Sequence, residues 1–194
     1  MVAAPVAHAP AGHHVRHPAG ALGQWLDDGR LHLHHGPIDL LIGVDGAPDA
    51  VKQACAAAKD RFDTVLEELV RELVILRRPV DQLSRPPTGG VAARMWAATI
   101  PHADGYRDGN YITAMAAVAG AVADEILSVM RDAADVDRIY VNNGGDIALY
   151  LNPEGAAVPH YSIGICADPD VVFHPHVAAV ATIDDGGMRL AANA

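Results

Sequence analysis

The sequence predicts an α+β fold with a mixed or antiparallel sheet and packed helices, and three observations carry that prediction. Strand-like runs between residues 24 and 44 are broken by Asp27-Asp28-Gly29 and Gly36-Pro37. A long pattern of apolar residues at three- and four-residue steps occupies residues 48–77. Two apolar runs flank the polar corner Asn142-Asn143-Gly144-Gly145-Asp146. Alternation with period two argues for strands, steps of three and four for helices, and strand runs followed by helical runs argue for an α+β arrangement.

Taken in chain order, residues 1–20 are rich in Ala, Pro and His without a period and read as an irregular arm. Residues 24–26, 30–35 and 38–44 then read as a strand meander. The helical pattern over 48–77 aligns Val51, Ala54, Cys55, Ala58, Phe62, Val65, Leu66, Leu69, Leu73 and Leu76. It starts at Pro48 and stops before Pro79, where proline is tolerated at a helix start and ends what precedes it. Residues 79–90 read as a loop, 91–98 as a short helix carrying Arg94, and 101–110 as a mobile loop. An alanine-rich helix is expected over 113–131, opened by a Thr113 cap, with Val118, Val122, Ile126 and Val129 on one stripe. Gly120 in its interior costs about 1 kcal/mol relative to Ala unless close packing offsets it. Strands at 161–166, 178–183 and 188–192 follow the hairpin.

At 194 residues with 51% hydrophobic content, the chain can bury roughly 70% of its unfolded surface, which fits a single domain spanning residues 21–194. A net charge of −10, with Lys52 and Lys59 the only lysines, argues against nucleic acid, whose phosphates select clustered cations. No run reaches membrane-spanning length and no secretory signal is evident, so a cytoplasmic location without membrane contact is expected. Cys55 and Cys166 fall in a helix pattern and a strand pattern and read as reduced core thiols.

The corner at 142–146 carries the most chemistry. Asn and Gly tolerate positive φ, so this is a tight hairpin whose backbone N–H groups lie uncovered, open to a phosphate or carbonyl of a ligand. Asp146 could hold a metal, orient a ribose hydroxyl or act as a base. A plain turn with a solvated carboxylate is the competing reading. His32 and His34 share one strand face, about 7 Å apart, a spacing compatible with a metal or an anion. With His13, His14, His17, His174 and His176 they define no complete ligand set, so the metal residues stay unknown. No Gly-x-Ser-x-Gly elbow, phosphate-loop motif or His-Glu-x-x-His helix is present.

The hairpin and the Thr113-to-Leu127 helix, together with Arg30–Leu40 and Val91–Met95, resemble the ApbE-type flavin transferase superfamily, and more nearly an uncharacterised bacterial branch of it. The resemblance covers most of residues 20–152. It implies a protein that binds FAD or FMN, with Mg²⁺ if it transfers an FMN group to a partner hydroxyl. The residues it implies are Thr113, Met115, Asn142, Asn143, Gly144 and Gly145 around the cofactor and Asp146 in the catalytic role. Two other functions stand beside it: an amide or imide hydrolase whose nucleophile lies on a separate downstream chain, and a non-catalytic ligand-binding module.

The superfamily's metal-binding Asp and Thr or Ser, after the hairpin, have no match here, nor does the branch's Ala-Thr-Ser-Gly stretch. The chain therefore looks incomplete by this comparison, with its functional unit a homo-oligomer or a complex with a downstream C-terminal chain. The expected partner otherwise is a small molecule.

Overall fold

The Leu31-His32-Leu33-His34 alternation becomes a strand with the leucines wholly buried and the histidines partly exposed. The computed structural model describes residues 15–16, 20–80, 85–105, 111–152, 160–165, 179–184 and 187–192. It divides into two compact units, Met1–Tyr150 and Leu151–Ala194.

The first unit is built on a six-stranded sheet in sequence order: β1 (Val15–Arg16), β2 (Leu22–Trp25), β3 (Leu31–His35), β4 (Ile38–Asp45), β5 (Arg138–Asn143) and β6 (Asp146–Leu151). From β1 to β5 the neighbours are antiparallel. After β4 the chain leaves the sheet for α1 (Pro48–Leu76), α2 (Gly90–Thr99) and α3 (Val118–Ala133), then returns beside β4 as β5. Register pairs Leu40 with Asn143 and Asp45 with Arg138. The return is locked by Asp137 N–H donating to Asp45 O at 2.8 Å and by the Arg138–Asp45 ion pair.

The α+β class expected from the sequence is therefore present, with its long helix starting at Pro48. Leu31, Leu33, Leu40, Ile42, Ile139 and Val141 face the helices and join Ala54, Cys55, Ala58, Phe62 and Val65 of α1 and Val122, Ile126 and Met130 of α3 in one core. Phe62 is 1% exposed, and truncating a buried Phe to Ala costs about 3–5 kcal/mol. On the other face, a Cβ at Gly43 would collide with the Tyr140 ring, so β4 keeps a glycine where its neighbour's aromatic ring lies across it.

Charge and hydrogen bonding tie the three helices together. Arg61 of α1 donates to Glu68 through both terminal nitrogens at 2.8 Å and through Nε to Glu125 of α3 at 2.8 Å. Arg94 of α2 donates to the other Glu125 oxygen at 3.1 Å. Glu72 of α1 accepts from the N–H groups of Thr88 and Gly89 at 2.8 and 2.9 Å and so caps α2 from another helix. Burial would raise the Glu72 carboxyl, but these donors outweigh it and hold it below its usual range.

The alanine-rich helix differs from its expected form. Residues 114–117 are a 3-10 turn and the α-helix begins at Val118. Thr113 is extended, φ −115° and ψ 161°, with no side-chain cap bond. Its backbone is instead held by a bridge to Pro79, and the adjacent Ile112 O accepts from Val80 N–H. Tertiary pairing at 79–80 thus sets this helix start, where the sequence suggested a local cap. Val122 and Ile126 are buried as the stripe requires, while Val118 and Val129 are only partly covered.

The second unit is a three-stranded antiparallel sheet of β7 (His160–Ile165), β8 (Ala179–Asp184) and β9 (Gly187–Ala192). Each strand lies within one residue of its sequence-based bounds. Cys166, His13, His14, His17, His174 and His176 lie outside the described residues.

Candidate ligand site

The β5–β6 turn is a two-residue connection, with Gly144 at φ 62° and Gly145 at φ 109°. Positive φ at both central residues is what a hairpin matched to strand twist requires, and glycine reaches it without strain. One expectation changes here. The Gly145 N–H is not uncovered, because Asn142 Oδ1 accepts it at 2.9 Å. Space remains beyond the turn, since a Cβ on either glycine would meet nothing within 4 Å among the described residues.

Asn143 lies on the helix-facing side with Ile139 and Val141 and is 8% exposed. Its Nδ2 donates to Ala119 O, in the first turn of α3, at 3.0 Å. That bond seats the start of α3 on the end of the sheet. The hairpin places Asp146 across from Asn143, and a Cβ at Gly120 would lie 3.6 Å from Asp146 Oδ1. Asp146 is exposed and its carboxylate has no hydrogen bond or ion pair among the described residues. A carboxylate thus sits beside the first turn of α3, whose opening N–H at Val118 is already taken by Met115 O of the preceding 3-10 turn.

Of the residues singled out from the sequence, Asn142, Asn143, Gly144, Gly145 and Asp146 form one assembly. Met115 packs against the core and Thr113 bridges to Pro79. Ala119 and Gly120 join the assembly although the sequence suggested only packing for them. The available signal was the parity of Asn143, which the alternation of β5 puts on the buried face.

A second cluster lies on the sheet face away from the helices. His32 Nε2 is 2.9 Å from Asp39 Oδ1, and His34 Nδ1 is 3.2 Å from Asp39 Oδ2. Gln24 Nε2 lies 3.5 Å from His32 Nδ1. Burial would raise Asp39, but the two imidazoles outweigh it and hold its carboxyl below the usual range. The shared face of His32 and His34 was legible from alternation; Asp39 arrives through register, opposite His34. Among the described residues, no group of three or more His, Cys, Asp or Glu is arranged to hold a metal ion. Cys55 is 2% exposed and burial pushes its thiol up to about 11, so it is an inert core residue. No helix among the described residues is long and apolar enough to cross a membrane.

Residues 23–188 match the family described as AbpE bacteria, and the chain belongs to that family. This corrects the resemblance drawn from the sequence: the match is not to ApbE-type flavin transferases, and no comparison connects the chain with that superfamily. A Gly-Gly-Asp hairpin behind an alanine-rich helix is a short-range pattern that turn and packing chemistry produce in unrelated settings. No curated protein and no solved structure matches the chain.

Proposed function

We propose that this protein binds a phosphorylated small molecule, with flavin nucleotides the first class to test, through a divalent cation held at Asp146. The observation that carries this reading is the exposed Asp146 carboxylate beside the first turn of α3, without a partner among the described residues, on a turn whose glycines have no described atom within 4 Å of an added Cβ. A bare phosphate is repelled by Asp146 and by a net charge of −10. A cation between carboxylate and phosphate reverses the sign. Mg²⁺ commonly binds through one or two carboxylates plus substrate phosphates and waters, so it needs no cage of three protein ligands.

The reading is one of binding. Asn142 and Asn143 hold the turn and the helix start in place, and Asp146 is the ionisable group of the turn. Titration of FAD, FMN and ADP with and without Mg²⁺, followed by fluorescence or calorimetry, tests it. Saturable binding that requires Mg²⁺ and disappears in Asp146→Asn supports the proposal. Binding that is indifferent to Mg²⁺ or to Asp146, or no binding at all, rejects it.

A further inference from the structure

Asn143 is followed by Gly144, and this is the one Asn-Gly step in the sequence, since Asn110, Asn142, Asn152 and Asn193 precede Tyr, Asn, Pro and Ala. That step is chemically weak. Glycine has no Cβ to hinder its backbone nitrogen from reaching the carboxamide carbon of the residue before it, and both turn glycines are exposed, with no described atom within 4 Å of an added Cβ. The other side of the same residue opposes the reaction. Asn143 is 8% exposed, and its Nδ2 is held by Ala119 O at 3.0 Å, away from the turn backbone.

We infer that Asn143 is a deamidation site, latched by its bond to Ala119, and that its modification releases the start of α3 from the sheet. Water is the sole co-reactant. The Gly144 nitrogen loses its proton and bonds to Asn143 Cγ, the Cγ–Nδ2 bond breaks and ammonia leaves, and water then opens the resulting five-membered imide at either carbonyl to aspartate or isoaspartate. Both products lack the donor. A carboxylate then faces Ala119 O, itself an acceptor, with Asp146 across the hairpin, so that like groups oppose one another where a hydrogen bond stood. Isoaspartate also adds a carbon to the backbone, which a two-residue connection cannot absorb without shifting the strands it joins. Ring closure needs the carboxamide free, so its rate follows the population in which the latch is open. The inference is independent of the ligand reading above.

The test incubates the full chain in mildly alkaline buffer, native and unfolded in guanidinium chloride, and follows each asparagine by peptide mass spectrometry. Asn143 should convert ahead of the other four in both states, about tenfold more slowly in the native one. Partly deamidated wild type, and Asn143→Asp, should melt roughly 4 °C or more below the unmodified protein. Hydrogen exchange should rise in the first turn of α3 while α1 stays protected. Should Asn143→Asp not fold, exchange on partly deamidated wild type gives the same readout. Conversion of another asparagine first, or no product at Asn143 in the native chain after about ten half-lives of the unfolded reaction, overturns the site. Equal rates in the two states overturn the latch. Unchanged exchange at the start of α3 after deamidation overturns its release.

Discussion

The carboxylates between the helices and the carboxylate at the hairpin have opposite surroundings. Glu125 is 16% exposed and receives Arg61 from α1 and Arg94 from α2, and Glu72 receives two backbone N–H groups at the start of α2. Asp146 is exposed beside the start of α3 with no partner among the described residues. The first two stabilise the fold because their hydrogen-bonding capacity is used within it. Among the described residues the Asp146 carboxylate has no such use, and so the difference separates carboxylates that hold the structure from one that does not.

Four substitutions test that separation. Glu125→Ala should have the largest effect on stability, about 2–3 kcal/mol, because it strands the mostly buried Arg61 without one of its partners. Denaturant unfolding measures it, and a loss no larger than that of an exposed pair such as Arg71–Glu67 would contradict the clamp.

Glu72→Ala should cost about 1–2 kcal/mol as a lost helix cap. Since the folded-state pKa of Glu72 is depressed below its ordinary 4.5, its contribution is present above that value and is lost as pH falls through the folded pKa. The gap between wild type and variant should therefore narrow as pH falls below 4.5, as followed by thermal melts from pH 7 to 3. A gap that stays constant to pH 3 would remove the cap as its cause.

Asp39→Asn should cost less than about 1 kcal/mol, because its imidazole contacts are exposed. Its melting curve would sharpen the contrast with Glu125, as both carboxylates have two partners but those of Asp39 are exposed imidazoles and those of Glu125 are guanidinium groups. Asp146→Asn should change stability least, within about 0.5 kcal/mol, while removing Mg²⁺-dependent nucleotide binding. A clear loss of stability here would place Asp146 among the structural carboxylates.

Much of the fold could be read because its signals are local. Pro48 and the apolar steps from Val51 to Leu76 mark α1, the Leu31-to-His35 alternation marks β3, and the two glycines after Asn143 mark a hairpin, since backbone sterics and side-chain period act within a few residues. The corner at 142–146 was therefore legible as a candidate site. The superfamily assigned to it was not, because a turn and an alanine-rich helix are built by physics that many families share.

By itself the sequence determined the α+β class, the faces of β3 and α1, and the backbone conformation of the Gly144-Gly145 turn, all consequences of short-range geometry. Only the tertiary structure decided which distant groups meet. Asn143 reaches Ala119, Arg61 reaches Glu125, Glu72 caps a helix that starts beyond Thr88, and Thr113 is drawn into a bridge with Pro79 that replaces its cap with a 3-10 turn. It also decided that Gly120 faces a carboxylate, where its sequence context suggested a packed neighbour. The physical reason is common to all of these. A side chain's type sets what it can bond to, but strand register and helix placement set what lies within about 3 Å of it, and those follow from burying the whole core together.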